Sequence, residues 1–109
     1  QDASGEDTHS WHLYTLRLNG GRAVRDQMIE ELRNLEIGSS VHFIPLHMHP
    51  YWRETYGLSD ADFPDATSAF DQEISLPIFP SMTDEQVARA VVDVPRAYKR
   101  ALQRVRSAR

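Results

Sequence analysis

The apolar residues of this chain change their spacing at Asn19-Gly20-Gly21, and that change limits which folds the chain can adopt. Residues 11 to 18 alternate between two sets rich in strand-forming side chains, which predicts a β-strand there. The glycine pair tolerates positive φ and marks a turn. After it, apolar residues follow at helical spacing, predicting a helix over 22 to 35: Val24, Met28, Leu32 and Leu35.

Further strands and helices are predicted along the rest of the chain. Residues 40 to 44 form a predicted strand that Pro45 closes, and residues 75 to 79 form a third, with Pro77 placing it at a sheet edge or end. Short helices are predicted at 50 to 56 and 64 to 73. Thr83 and Gln86 form a capping box that starts a last helix over 83 to 106. Its predicted inward face carries Val87, Val91, Val94, Tyr98, Leu102 and Val105.

This order of elements predicts an α/β (α+β) fold in which a small, mostly antiparallel sheet has helices on one face. A chain of 109 residues is one domain, with residues 1 to 10 as a polar lead-in and 11 to 109 as the folded part. Folding at this size supports a modest core but no enclosed catalytic cavity beside it. A self-sufficient enzyme is therefore disfavoured.

Charge and cysteine content exclude several kinds of partner. The chain carries 12 basic and 16 acidic residues and only one lysine, Lys99, so it lacks the dense basic face of a nucleic-acid binder. No apolar stretch approaches the ~20 residues needed to cross a bilayer. The absence of cysteine excludes disulfides and thiolate chemistry, and a reducing cytoplasm is the expected location. We expect neither nucleic acid nor membrane as a partner.

Histidines are the first candidates for chemistry. His47 and His49, followed by Glu54, have the spacing of a cupin metal motif, but prolines bracket the pair and the many strands of a jelly roll are missing. A His-based metal site is therefore a lesser alternative, and no metal ligand is assigned. No nucleophile elbow and no phosphate-binding glycine loop occurs, so no catalytic residue is assigned.

One string stands out, GSSVHFIPLHMHPYWRETYG at residues 38 to 57. It resembles the C-terminal part of the DegT/StrS-type aminotransferases, pyridoxal-phosphate enzymes that aminate keto sugars on nucleotide carriers. The resemblance continues in order over nearly the whole chain. Its other pieces are HSWHLYTLRL at 9 to 18, RDQMIEEL at 25 to 32, IGSSVHFIPLHMHPYW at 37 to 52 and FPDATSAFDQEISLPIFPSMTDEQV at 63 to 87.

The resemblance implies the small domain of a fold-type-I aminotransferase whose large domain holds pyridoxal phosphate and its lysine. Lys99 matches no cofactor position of the family, so this chain alone should neither bind pyridoxal phosphate nor be active. The whole enzyme would take a nucleotide-linked sugar and an amino-acid donor such as glutamate, and act as a homodimer. The alternative is a stand-alone binding or interaction module of the same fold.

The resemblance also implies roles for individual residues. His42, Phe43 and His47 match the histidine, aromatic and second histidine of a segment at the mouth of the active site, and are candidate substrate-binding residues. Each histidine has an alternative that stays open. Val41 and Phe43 enter the core while His42 faces solvent or a domain interface, and His47 packs on the large domain. Three aromatic residues are candidate interface anchors: Tyr51, Trp52 and Tyr56.

Two positions depart from the family pattern. Glu36 stands before the Ile-Gly pair, where the family has a glycine suited to a left-handed helix end. Pro95 interrupts a final helix that is usually continuous, and we expect it to kink or split that helix. Both departures question local geometry rather than function.

Overall fold

A computed structural model of the protein describes residues 10–108 and shows a mixed α/β fold. Two strands and four helices are present in that part of the chain, joined by two short 3-10 turns. In chain order they are β1 (Tyr14–Arg17), α1 (Gly21–Asn34), a turn at Leu46–Met48, α2 (Pro50–Tyr56), a turn at Asp60–Asp62, α3 (Pro64–Gln72), β2 (Glu73–Leu76) and α4 (Asp84–Ser107). No helix in the described range is long and apolar enough to cross a membrane.

The sheet is an antiparallel pair in which Leu16 lies opposite Ile74 and Tyr14 opposite Leu76. Because side chains alternate between the faces of a strand, the leucines and isoleucines of β1 and β2 share one face. That face packs into a core with α1 and α4. Thr15, Arg17 and Ser75 lie on the opposite face, so the predicted fold class, with helices on one side of an antiparallel sheet, is confirmed.

The predicted strand over 40 to 44 is wrong, because only Ser40 pairs with the sheet. Ser40 and Ser75 exchange two backbone hydrogen bonds of 3.1 and 2.9 Å. The next bonded positions on this edge of β2 are Glu73 and Pro77, two residues to either side. The Glu73 N–H already donates to the Ala69 carbonyl at the end of α3, and proline has no N–H. The ladder therefore stops after one pair.

The third predicted strand is displaced rather than absent. It runs over Glu73–Leu76 instead of 75 to 79, and Pro77 follows its last residue, consistent with a proline at a strand end. The idea that Val41 and Phe43 enter the core is also wrong, since their side chains are 40% and 100% exposed. Without a ladder beyond Ser40, strand alternation does not govern where these side chains point.

The core lies between α1, α4 and the apolar face of the sheet. Val24, Met28 and Leu32 of α1 are buried as predicted. On α4 the buried positions are Ala97 and Ala101, whose small side chains allow close approach of the two helices. Four of the predicted inward residues pack around this core, namely Val94, Tyr98, Leu102 and Val105. The prediction is wrong for Val87 and Val91, which are 46% and 69% exposed.

Polar contacts at helix ends and between helices complete the fold. Thr83 Oγ1 accepts from the Gln86 N–H at 3.2 Å, and Gln86 Oε1 accepts from the Thr83 N–H at 3.0 Å, which confirms the predicted capping box. Pro95 lies inside α4, which is one helix from Asp84 to Ser107, so of the two expected effects, a kink or a split, the split does not occur. Glu31 of α1 is 2% exposed and pairs with Arg104 Nε of α4 at 2.7 Å.

Candidate functional site

Residues 42–49, which we call the strap, carry the three candidate substrate-binding residues across the polar side of the sheet. At its first residue, the ring Nε2 of His42 lies 3.2 Å from the Ser75 hydroxyl of β2. Ser75 is 5% exposed and His42 is half-buried. The hydrogen bond fixes one ring nitrogen of His42 against the sheet, and Nδ1 has no partner among residues 10–108.

Phe43 is the next residue of the strap and the most exposed large side chain of the described domain. Its side chain is 100% exposed, although a phenylalanine buries well over 100 Å² when it enters a core. No ring contact to Phe43 is formed within residues 10–108. The strap therefore presents an aromatic face outward beside a histidine with a free ring nitrogen.

Near the other end of the strap, the buried side chain of His47 attaches the strap to Phe63 and α3. His47 is 4% exposed, its ring stacks on Phe63 with centroids 4.9 Å apart, and its Nε2 lies 3.0 Å from Thr67 Oγ1 of α3. The Thr67 hydroxyl donates its one hydrogen to the Asp60 carbonyl at 3.2 Å. The hydroxyl oxygen must therefore accept from His47, so the imidazole carries a proton on Nε2.

Backbone bonds and His49 make residues 44 to 49 a closed unit. His49 Nε2 donates to the Ile44 carbonyl at 3.1 Å. The Met48 N–H donates to Pro45 O at 2.9 Å and the His49 N–H to Leu46 O at 3.1 Å. Because Pro45 also fixes its own φ, this part of the strap has little conformational freedom.

Acidic side chains surround the His47 contact. Asp60 Oδ1 lies 3.7 Å from His47 Nε2. The side-chain hydroxyl of Ser59 donates to Asp62 Oδ2 at 2.7 Å, and the Ser59 backbone N–H donates to the same oxygen at 2.8 Å. These hydrogen bonds, chiefly that from the hydroxyl, lower the pKa of Asp62. The 60–62 turn is thus held in place next to the residue that anchors the strap.

The candidate interface residues lie together on α2. Tyr51 meets Trp52 edge to face with centroids 5.3 Å apart, and Trp52 stacks on Tyr56 at 5.6 Å. All three are exposed, at 67%, 39% and 62%. We call this set, with Phe43 and Leu46, the aromatic surface. The α2 part of the aromatic surface adjoins the strap, because α2 follows the 46–48 turn of the strap in the chain and packs against it.

The alternative metal site finds no support in this arrangement. Within residues 10–108 no group of three or more His, Cys, Asp or Glu side chains is placed to hold a metal ion. His47 and His49, the two imidazoles of the sequence motif, turn to different partners, Thr67 and the Ile44 carbonyl.

The residues that position the strap were not found from the sequence. Ser75 lies 33 residues from His42, to which it bonds. Phe63 and Thr67, the two contacts of His47, lie 16 and 20 residues from it. No spacing rule links residues so far apart. A second surface feature was missed for the same reason: a groove of about 650 Å³ between the sheet and the first half of α4, lined by residues such as Leu16, Leu76, Phe79, Val87 and Val91.

Comparison with known proteins identifies the family. Residues 1–94 match the model of the DegT/DnrJ/EryC1/StrS aminotransferase family. The chain belongs to this family. Among curated relatives, it is 50% identical over 94 residues to MJ1066 of Methanocaldococcus jannaschii, described as uncharacterized, covering 84% of this chain and 23% of that protein. It is 45% identical over 82 residues to the spore coat polysaccharide biosynthesis protein SpsC of Bacillus subtilis, covering 72% of this chain and 21% of SpsC.

Solved structures agree with the family assignment. A putative sugar aminotransferase, Spr1654 of Streptococcus pneumoniae, superimposes with a TM-score of 0.79 and 28% sequence identity in its PMP form. The match covers 87% of this chain and 24% of Spr1654, and a PLP form of Spr1654 matches with a TM-score of 0.75. This DegT-family chain therefore spans about a quarter of the length of the proteins it matches.

Pyridoxal phosphate is the cofactor of this aminotransferase family, but the residues described here do not fit it. The cofactor needs a lysine amine in an enclosed site, and the only lysine of the chain, Lys99, is exposed on α4. The family match also ends at Val94, before Lys99. No step of cofactor chemistry can be assigned to residues 10–108.

Proposed function

We propose that this chain is the C-terminal small domain of a pyridoxal-phosphate-dependent aminotransferase that aminates a nucleotide-linked keto sugar. Two comparisons support a sugar substrate: SpsC is named for polysaccharide biosynthesis, and Spr1654 is described as a putative sugar aminotransferase. The observation that carries the proposal is the strap, which exposes Phe43 fully beside the half-buried His42, whose Nε2 is held by Ser75.

The residues of this domain suggest which role it has in the complete enzyme and which roles belong to the rest of the protein. The rest of the enzyme would hold pyridoxal phosphate, which supplies the chemistry of amino-group transfer, and bind the amino-acid donor. This domain would contribute contacts to the sugar nucleotide. The share of its relatives that the chain covers, between 21% and 24%, supports a role as one domain of a longer protein. We place the enzyme in the cytoplasm, consistent with a chain free of cysteine.

His42 and Phe43 are the proposed contacts to the substrate. With Nε2 held by Ser75, the Nδ1 atom of His42 is available to a hydroxyl or phosphate oxygen of the sugar nucleotide. Phe43 offers a flat apolar face against which a sugar or base can pack. His47 belongs to the same motif, but its side chain is only 4% exposed. This burial favours an indirect role, in which His47 supports the strap, over direct contact with the substrate.

The aromatic surface is the proposed interface with the second subunit of a homodimer or with the large domain. Tyr51, Trp52 and Tyr56 form a continuous set of exposed rings on α2. Aromatic residues are enriched in protein interfaces, and large exposed apolar patches mark such surfaces. Its adjacency to the strap would bring the interface close to the substrate contacts.

The substitution His42→Ala in the complete enzyme tests the substrate role. We expect the KM for the nucleotide sugar to rise by about 10- to 100-fold, because a hydrogen bond to a charged group is lost. The half-reaction with the amino donor should be nearly unchanged, since it involves no contact with this residue. Steady-state kinetics and single-turnover measurements with each substrate separate the two.

A matched control is His12→Ala, which makes the same change at an exposed histidine outside the strap. It should leave both half-reactions as in the wild type. If His42→Ala lowered the melting temperature but left the KM unchanged at low temperature, His42 would be a structural residue and the proposed contact would be wrong.

A further inference from the structure

The strap is attached to the domain by one side-chain hydrogen bond at each end. His42 bonds to Ser75 on β2, and His47 bonds to Thr67 on α3. Phe43 lies between these two attachments, together with Ile44, Pro45 and Leu46, which are exposed or half-buried. The position of Phe43 therefore depends on both.

The attachment at His47 is the more deeply buried of the two. His47 is 4% exposed, whereas His42 is half-buried. The imidazole is fixed in two directions, by stacking on Phe63 at 4.9 Å and by its Nε2–H bond of 3.0 Å to Thr67 Oγ1. Thr67 is fixed in turn, because its hydroxyl donates to the Asp60 carbonyl. A chain of directed hydrogen bonds thus runs from the 60–62 turn through α3 to the strap.

The strap itself transmits this restraint to Phe43. The bond from His49 to the Ile44 carbonyl and the two backbone bonds of the 46–48 turn make residues 44 to 49 move as one unit. Only one peptide unit separates that closed unit from Phe43. Displacement of His47 would therefore displace Phe43 and the outward side of the strap.

We propose that His47 is a positioning residue, which through its hydrogen bond to Thr67 holds His42 and Phe43 in the orientation that binds the sugar nucleotide. This inference rests on the proposed function of the strap. It assigns His47 a role beneath the site and adds Thr67 of α3 to the residues on which substrate affinity depends.

The test is made in the complete enzyme with Thr67→Val, which removes the hydroxyl and keeps the side-chain shape. We expect the KM for the nucleotide sugar to rise about tenfold, with kcat and the amino-donor half-reaction within about twofold of wild type. Thr67→Ser restores the hydroxyl and should restore the KM. Thr15→Val, the same change at an exposed threonine of β1, should leave all constants unchanged.

A second pair of variants changes His47, the other partner of the hydrogen bond to Thr67. His47→Phe keeps a ring on Phe63 but has no donor, and should raise the KM as Thr67→Val does. His47→Gln keeps an N–H donor and should recover most of the affinity. The proposal is overturned if kcat falls while the KM stays constant, or if the serine and glutamine variants are as impaired as their valine and phenylalanine counterparts.

Hydrogen exchange supplies a readout that does not depend on activity. In Thr67→Val the amides of Met48 and His49, bonded within the 46–48 turn, should exchange about tenfold faster than in the wild type. If these amides exchange in Thr67→Val at the wild-type rate, and the wild-type enzyme is active on a nucleotide sugar, the positioning role of His47 is overturned while the proposed function stands. A wild-type enzyme that aminates no nucleotide sugar overturns the proposed function instead.

Discussion

Glu36 occupies a backbone conformation that suits glycine. Its φ is 55°, in the left-handed region. The Glu36 N–H donates to Arg33 O and the Ile37 N–H donates to Leu32 O, both at 2.9 Å, which is the hydrogen-bond pattern of a Schellman motif at the end of α1. The left-handed φ is a physical reason for a glycine at this position, which the resemblance to the family implies.

We therefore expect Glu36→Gly to raise the free energy of unfolding by about 1 kcal/mol, because a side chain in the left-handed region costs about that much. The substitution also removes a 3.9 Å contact to Arg89, whose exposed ion pair contributes at most a few tenths of a kcal/mol. Urea unfolding followed by circular dichroism measures the change. Glu36→Ala removes the same charge but keeps Cβ, and an equal gain in that variant would contradict the explanation.

At the scale of elements, α4 is one helix of 24 residues whose two halves have different surroundings. The half after Pro95 packs on α1 through Ala97 and Ala101, which are fully buried. The half before it lines the groove beside the sheet, and Val87 and Val91 remain exposed. The proline stands at the boundary between the two halves. The helix passes through Pro95 although proline removes one helical hydrogen bond and crowds the preceding turn.

Pro95→Ala should therefore stabilise the domain by about 1–3 kcal/mol, since alanine is about 3 kcal/mol more favourable than proline inside a helix. The gain is expected in chemical unfolding and as greater amide protection in the turn around Val91. Arg96→Ala, one residue later and exposed, is the control and should change stability by less than about 0.5 kcal/mol. A loss of stability in Pro95→Ala would mean that the local geometry at Pro95 is required by its neighbours.

At the scale of the whole molecule, many large apolar side chains of the described residues are exposed to solvent. Exposed apolar surface favours association with other surfaces. Many of these side chains lie in two regions, the aromatic surface around α2 and the groove beside α4. The small core explains why: two short strands and the alanine face of α4 bury only a few large side chains, among them Met28, Leu32 and Ile74. Such surfaces are typical of domains that pack against other parts of a protein.

In isolation, this chain should self-associate as its concentration rises, mainly through residues 43 to 56. Sedimentation velocity over a wide concentration range measures the association. The double variant Phe43→Ser and Tyr51→Ser, which removes the two most exposed rings of the aromatic surface, should shift the domain toward monomer. The matched pair Val87→Ser and Val91→Ser in the groove should not, and a wild-type chain that stays monomeric at all concentrations would contradict the prediction.

The sequence by itself determined the helices, the capping box at Thr83 and the family. These features depend on residues three or four positions apart, or on motifs that follow one another in order along the chain, so they can be predicted from the sequence. The bounds of α1, α2 and α3 agree with prediction to within a residue.

Tertiary structure alone decided the sheet edge and the strap. Whether residues 40 to 44 could form a strand depended on the N–H of Glu73, which lies opposite His42 in the antiparallel register and which α3 had already engaged. Whether His47 faces a ligand or the interior depended on Thr67, 20 residues away. Strand pairing and side-chain burial are contacts between distant residues, and a local pattern shows only that a segment can make them, never whether its partner is free.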